Sequence, residues 1–405
     1  MQNLLNPEHF LSAEIWQAER EQIFFKHWQY AGHAAQLVQP NDWVLANIAG
    51  REVVVQNFAG ELRAFSNVCS HRFSAIRSKP CGHGPLQCPY HHWTYNKDGV
   101  PRGIPLRDQF SELADPGAID KLALERWTVD HCGGLVFVRL ASEGPSLKDF
   151  LGATYPALQA ASESLIEVVR EFEYTIEANW KLIIQNTLEL YHIVAVHPRS
   201  FGKGMNYKRL ATQRLVDEIV APPHIVYRGE NIDTAAPAQR PSATLRTILP
   251  RLLTSVLRPA RNWANDGVRR KLNPGLFSRG GLKHFGIFPC FNLAISDAGL
   301  VTEIVYTPES AGKTRMRVRT WTPSLQNLNL IEQMLMRWRQ ATWADTARIV
   351  GDEDTSASEA VQRGLHNRGT MPPSSGLLSE GEQLVHRFQI FYLEAMAAPA
   401  APRSS

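Results

Sequence analysis

The chain has 405 residues, 44% hydrophobic and 20% charged, which is an ordinary globular composition with enough length for two domains. Its net charge of +4 is too small to imply nucleic acid. No run approaches about 18 apolar residues, and the opening Met-Gln-Asn-Leu-Leu-Asn-Pro-Glu-His lacks the basic start and apolar core of a secretory signal, so no membrane association is expected. Five cysteines, an odd number in a chain this long, argue against a disulfide framework and for a reducing cytoplasm.

In chain order, residues 12–28 read as an amphipathic helix capped by Ser12, with Ile15, Trp16, Ile23, Phe24 and Trp28 available for packing. From Asp42 the pattern changes to short strands at Val44–Ile48, Glu52–Gln56 and Leu62–Phe65, resuming at Arg126–Cys132 and Leu135–Leu140. The stretch Ser142-Glu-Gly-Pro-Ser146 reads as a linker. Further strands are predicted at Ile166–Ile176, Val216–Val220, Ile225–Arg228, Phe285–Ser296, Thr302–Tyr306 and Arg315–Trp321, and helices at Leu325–Ile349, Thr355–Arg363 and Ser379–Met396. This order predicts an α+β chain: an N-terminal helical segment (1–40) packing on the later domain, an all-β domain (41–145), a domain of antiparallel sheet flanked by helices (146–396), and a tail (397–405). Basic residues from Arg246 to Lys283 read either as a solvated helical face or as a docking face for an acidic redox partner.

Two stretches carry chemistry. Asn179-Trp-Lys…Glu189-Leu-Tyr-His192…His197-Pro198 has helical periodicity, with Glu189 and His192 three apart on one face. Such groups inside an apolar helix are either a metal site or satisfied core polar residues. In the β domain, Cys69-Ser-His71 is followed after sixteen residues by Cys88-Pro-Tyr-His91. Two Cys-His pairs on neighbouring loops suit structural zinc, and equally a [2Fe–2S] cluster with two histidines on one iron.

The run Cys88-Pro-Tyr-His-His-Trp-Thr-Tyr-Asn-Lys-Asp-Gly99, with Asn67-Val-Cys-Ser-His-Arg72, resembles the ligand loops of Rieske domains. That resemblance implies Cys69 and Cys88 on one iron and His71 and His91 on the other. His92 stands where the family often has glycine, and Cys81, between the loops, reads as a small buried residue. The segment from Asn179 to Pro198 resembles the mononuclear-iron helix of Rieske non-haem iron oxygenases, of the homotrimeric alpha-subunit type with a helix-grip (START-like) catalytic domain. Its third ligand is a carboxylate in an acidic pair, here within Glu353-Asp354-Thr-Ser-Ala-Ser-Glu359-Ala-Val-Gln362-Arg-Gly364. Motif position favours Asp354, leaving Asp352 and Glu353 as charges at a helix start. His192, His197 and Asp354 are then a facial triad for Fe(II).

The resemblance further implies Glu189 bridging His192 to a cluster histidine of a neighbouring subunit in a homotrimer. Electrons are expected from NAD(P)H through a ferredoxin and/or flavin reductase. The expected reaction is hydroxylation or oxidative demethylation, with O2, of a small aromatic, acid-like substrate held by an Arg. The alternative is N-demethylation or monooxygenation of a quaternary ammonium or methylated amine compound. Thr187 stands where some relatives of the latter kind carry an aromatic residue, which disfavours that alternative; Tyr191, Phe285, Phe288 and Phe291 remain available for a pocket.

Overall fold

A computed structural model of the chain describes residues 1–201, 206–230, 271, 282–296, 299–367 and 376–397. Two compact units emerge: Gln17–Tyr155, and Met1–Trp16 together with Pro156–Ala397. The divisions therefore fall at 16/17 and 155/156, not at 40/41 and 145/146. Of the basic residues between 246 and 283, only Lys271 and Lys283 lie among the described residues; they pair with Glu332 at 2.7 Å and Glu218 at 2.9 Å. Residues 398–405 of the expected tail also lie outside them.

The first unit is an antiparallel β structure. Its strands β1 (Gln29–His33), β2 (Asp42–Ile48), β3 (Arg51–Phe58), β4 (Glu61–Ser66), β5 (Cys81–His83), β8 (Arg126–Cys132) and β9 (Leu135–Arg139) form one sheet in the order β1-β9-β8-β4-β3-β2-β5. A separate ribbon pairs β6 (Thr94–Tyr95) with β7 (Pro101–Gly103). The helix expected over 12–28 runs only over Ala13–Glu19, started by the Ser12 hydroxyl accepting from Ile15 N–H at 3.1 Å, and passes into a π-type turn over Arg20–Phe24. Residues 25–28 turn the chain instead of completing the helix, and β1 follows at once, its five residues all buried beside β9. Cys81 is exposed on edge strand β5, a correction to its reading as buried.

The second unit is built on a seven-stranded antiparallel sheet: β10 (Leu165–Ile176), β11 (Arg214–Ala221), β12 (His224–Glu230), β13 (Leu282–Ile287), β14 (Phe291–Ser296), β15 (Val301–Ser310) and β16 (Lys313–Pro323), in the order β10-β16-β15-β14-β13-β12-β11. The expected single strand 285–296 is thus a hairpin. Pro289, which has no N–H to donate to a ladder, sits in its turn. Pairing aligns Tyr227 with His284, Gly286 with Asn292 and Ile304, and Tyr306 with Met316 and Tyr174.

Three helices matter for the site: α1 (Trp180–Asn186), α2 (Leu330–Asn367) and α3 (Gln383–Ala397). The two helices expected at 325–349 and 355–363 are one helix, α2, of 38 residues. Gly351 suggests a break, yet it serves close packing: a Cβ there would lie 2.7 Å from the Tyr174 ring and hydroxyl. The Tyr174 hydroxyl in turn donates to Arg348 O at 2.9 Å. Conversely, the helix expected from 179 to 198 is interrupted, running over α1 and then only over Ile193–Val196.

Candidate metal centres

The two Cys-His loops have nearly the same trace. Cys69 N–H donates to Ser74 O and Phe73 N–H to Cys69 O, both at 2.9 Å. In the second loop Cys88 N–H donates to Trp93 O at 2.9 Å and His92 N–H to Cys88 O at 3.0 Å. In each, the residue four after the cysteine turns left-handed, Phe73 and His92 both at φ 59°. That explains a glycine preference at the second position, because the left-handed region penalises a Cβ.

This construction brings Cys69 and Cys88 into one apolar cluster with Trp43, Phe65, Trp93 and Tyr95. Burial pushes the Cys69 thiol up, a state a metal relieves by taking the thiolate. The imidazoles of His71 and His91 meet edge-on at 4.6 Å between centroids, and Trp93 stacks flat on His71 at 4.7 Å. The Tyr95 hydroxyl lies 3.0 Å from Cys69 Sγ, and Ser70 N–H donates to it at 3.1 Å. His71 Nδ1 is buried with no hydrogen-bond partner. An orphaned imidazole nitrogen, a second imidazole beside it and two buried thiols on the paired loops are a donor set for a cluster, and the residues present fit one.

The second centre is built on the interrupted helix. Asn179 caps α1, its side-chain oxygen accepting from Lys181 N–H at 3.0 Å. After Asn186 the helix fails because Glu189 folds back on its own backbone, accepting from Tyr191 N–H and, at 3.1 Å, from His192 N–H. The other Glu189 oxygen holds His192 Nδ1. The helix restarts, and His197 ends it.

His192, His197 and Asp354 each offer a ligand atom, all within 4.8 Å of one another. Nε2 of His197 lies 3.1 Å and Nε2 of His192 3.8 Å from Asp354 Oδ1, which also accepts from Asn186 Nδ2 at 2.8 Å. Two imidazoles and a carboxylate converging from one side can hold a divalent metal with positions left open. Burial lowers the His197 pKa, but the adjoining Asp354 and Glu353 carboxylates outweigh it and leave it raised.

Sequence reasoning misread Glu353. It lies in the middle of α2 with no helix start nearby, nearly buried, and accepts from Arg199 N–H (2.8 Å) and the Ser200 hydroxyl (2.6 Å) while standing 3.1 Å from His197 Nδ1. Asp352 instead faces Arg199 and Arg348 at 3.9 and 3.7 Å. Glu359 and Gln362 accept from Glu177 N–H (3.1 Å) and Asn179 N–H (3.0 Å), so the motif around Asp354 clamps α2 onto the start of α1.

Below the helix break lies a buried polar cluster that sequence reasoning missed. The Tyr227 hydroxyl donates to Thr187 O at 2.6 Å, so its contact with His284 is an N–H bond from Nδ1. Burial pushes His284 down to about 4 and raises the phenols of Tyr227 and Tyr306, the latter helped by the nearby Asp354 charge. Asn292 donates to Thr187 Oγ1 and the Tyr306 oxygen, each at 3.3 Å, and lines a small cavity with Ile184, Leu188, Ile225, Phe288 and Phe388.

A family model described as ring hydroxylating alpha subunit (catalytic domain) matches residues 163–398, more than half of the chain, and one for the Rieske [2Fe-2S] domain matches residues 27–120. The chain belongs to the ring-hydroxylating alpha-subunit family, in which Rieske non-haem iron oxygenases are found, and carries a Rieske domain. Among curated relatives, the glycine betaine monooxygenase oxygenase subunit of Chromohalobacter salexigens is 32% identical over 48% of this chain and 43% of that protein. The protein of the same name from Pseudomonas aeruginosa is 24% identical over 90% of this chain and 82% of that one. The chain thus spans under half of the first relative and most of the second. Among solved structures, a quaternary ammonium Rieske monooxygenase described as giving insights into carnitine oxidation and inter-subunit electron transfer matches with TM-score 0.68 and 21% identity over 98% of this chain and 95% of that one. Naphthalene 1,2-dioxygenase from Rhodococcus sp. matches with TM-score 0.71 and 18% identity over 98% and 95%. At these identities the likeness speaks for the fold alone, which relatives with unlike substrates share. No helix among the described residues is long and apolar enough to cross a membrane.

Proposed function

We propose that the chain is the terminal oxygenase component of a Rieske-type monooxygenase acting on a quaternary ammonium or methylated amine compound. The observation that carries the oxygenase reading is the convergence of His192, His197 and Asp354 in a chain that also buries paired Cys-His loops. In this reading Cys69, Cys88, His71 and His91 hold the [2Fe–2S] cluster and the triad holds Fe(II). When bound, the two groups supply electrons one at a time and activate O2 for insertion into a C–H bond.

The chain's own residues prepare this chemistry. Glu189 and Glu353 each hold a histidine at Nδ1, leaving both Nε2 atoms for the metal. Trp93 and Phe110 wall one side of His71 against water. In a homotrimer, Glu189 would extend from His192 to His91 of the partner subunit, and a ferredoxin and/or flavin reductase would supply electrons from NAD(P)H.

The substrate assignment reverses the preference for an aromatic acid. Besides the relatives, the lining of the cavity is compatible with it: among the described residues, apolar and aromatic groups predominate and no charged side chain lines it. Phe288 and Phe388, packed on each other at 6.4 Å between centroids, line it and are the aromatic groups available to a methylated cationic head. The test is a panel of methylated amines and aromatic acids with NADH, a generic reductase and ferrous iron, scored by product. Aldehyde release or hydroxylation from the amines is expected; turnover of aromatic acids alone would overturn the substrate assignment.

A further inference from the structure

Both nitrogens of the His197 ring are occupied by consecutive residues of one helix. Asp354 reaches Nε2 at 3.1 Å and Glu353 reaches Nδ1 at 3.1 Å. The Glu353 side chain is only 5% exposed and that of His197 2%. Its Oε2 also accepts the Ser200 hydroxyl and its Oε1 the Arg199 N–H, so three donors converge on one buried carboxylate. Glu353 therefore stands on the side of the ring away from the converging ligand atoms, with both oxygens committed. It is not a fourth ligand.

We infer that Glu353 is a positioning residue that fixes His197 as the Nδ1–H tautomer, so that the Nε2 lone pair points at the metal. An ionised carboxylate can only accept, and once a metal takes the Nε2 lone pair the ring proton must sit on Nδ1, where the buried Glu353 carboxylate is its acceptor. Glu189 does the same for His192, so each iron histidine has its own carboxylate. The inference rests on the reading of the triad as an iron site.

The test measures ferrous iron binding to the full, cluster-loaded chain under anaerobic conditions, by chelator competition, together with the EPR signal of the ferrous nitrosyl complex. The cluster's visible absorption reports folding independently. Glu353→Gln keeps the size but must aim an NH2 group at either His197 or Arg199 N–H; the former draws the ring proton to Nε2, where the metal must bind. Affinity is expected to fall about 10- to 100-fold with an altered nitrosyl signal, the range typical of groups that orient metal ligands. Ser200→Ala, which removes a bond to the same carboxylate without touching His197, is expected to stay within about threefold of the parent, well below that range.

Parent-like affinity and signal in Glu353→Gln would overturn the inference. So would equal weakening by Ser200→Ala, which would make Glu353 a brace for the 199–200 segment. If Glu353→Gln loses the cluster, Glu353→Asp decides: weakened iron binding with the cluster intact supports the inference, and parent-like binding ends it. His197→Ala separates the two levels. Unchanged iron binding there removes the iron-site reading and this inference with it, whereas loss of binding there beside a parent-like Glu353→Gln removes the inference alone.

Discussion

The two centres are built in opposite ways. The proposed cluster would take all four donors from residues 69–91, on two turns with the same hydrogen-bond trace and a left-handed residue at the same place. The proposed triad would draw its ligands from segments far apart in the chain: Asp354 meets His197 at 3.1 Å, and its hydrogen-bond partner Asn186 stands 168 residues away in sequence. A local centre is specified by spacing. A distant one is specified by whatever holds the segments together, here the clamp of Glu359 and Gln362 on the start of α1 and the Tyr174–Gly351 contact.

The largest effects should come from deleting one centre at a time. Cys88→Ser is expected to abolish the brown colour and acid-labile sulfide while the catalytic unit still binds ferrous iron. His197→Ala should do the reverse. Metal analysis of both variants checks this, and loss of both metals in either one would mean that the two sites do not form independently.

Next comes acid stability, which should probe the second unit. His284 is buried and neutral, with its pKa pushed from 6.5 to about 4. Between those values the unfolded chain binds a proton that the folded one refuses, so stability is complete above pH 6.5 and is lost as the pH falls toward 4. The loss is on the order of 3 kcal/mol. His284→Asn should flatten that limb of a denaturation-versus-pH curve, and an unchanged limb would place the sensitivity elsewhere.

Glu189→Gln addresses the link between the centres. The cluster should stay intact and ferrous iron should bind more weakly, as in Glu353→Gln; at saturating ferrous iron, product formed per electron in single turnover should still fall about 10- to 100-fold. Near-normal coupling would reduce Glu189 to its local role, as acceptor for the Tyr191 and His192 backbone and for the His192 ring.

What was legible in the sequence follows the same division. Strands with clean alternation lie where expected, Arg126–Cys132 to the residue, because two-residue periodicity is set locally. The helix spanning 179–198 was not legible as broken, since its apolar spacing is helical throughout; what breaks it is Glu189 competing for backbone N–H groups. The break expected between 349 and 355, with Asp352 and Glu353 as helix-start charges, misled in the other direction. The helix runs through, Gly351 makes room for Tyr174, and Glu353 turns inward to His197. Strand β1 was missed because its burial comes from β9, a hundred residues on. The triad itself was visible only through resemblance, because no spacing rule joins His197 to Asp354.

The smallest expected effect tests the repeated loop trace most directly. Phe73 and His92 share φ 59°, a region that costs a residue with a Cβ about 1–2 kcal/mol. Glycine avoids that strain but gives up roughly 0.5–1 kcal/mol of unfolded-state freedom, so His92→Gly should be neutral to stabilising by about 1 kcal/mol. The neighbouring bonds use the His92 carbonyl, which accepts from the Thr94 hydroxyl at 3.1 Å, and are available to glycine as well. A Tm at or above the parent's with an unchanged cluster spectrum would show that the backbone alone selects residues at this position. A clear loss of stability would instead mean that the His92 imidazole makes a contribution of its own, and that the two loops, alike in trace, are held by different forces.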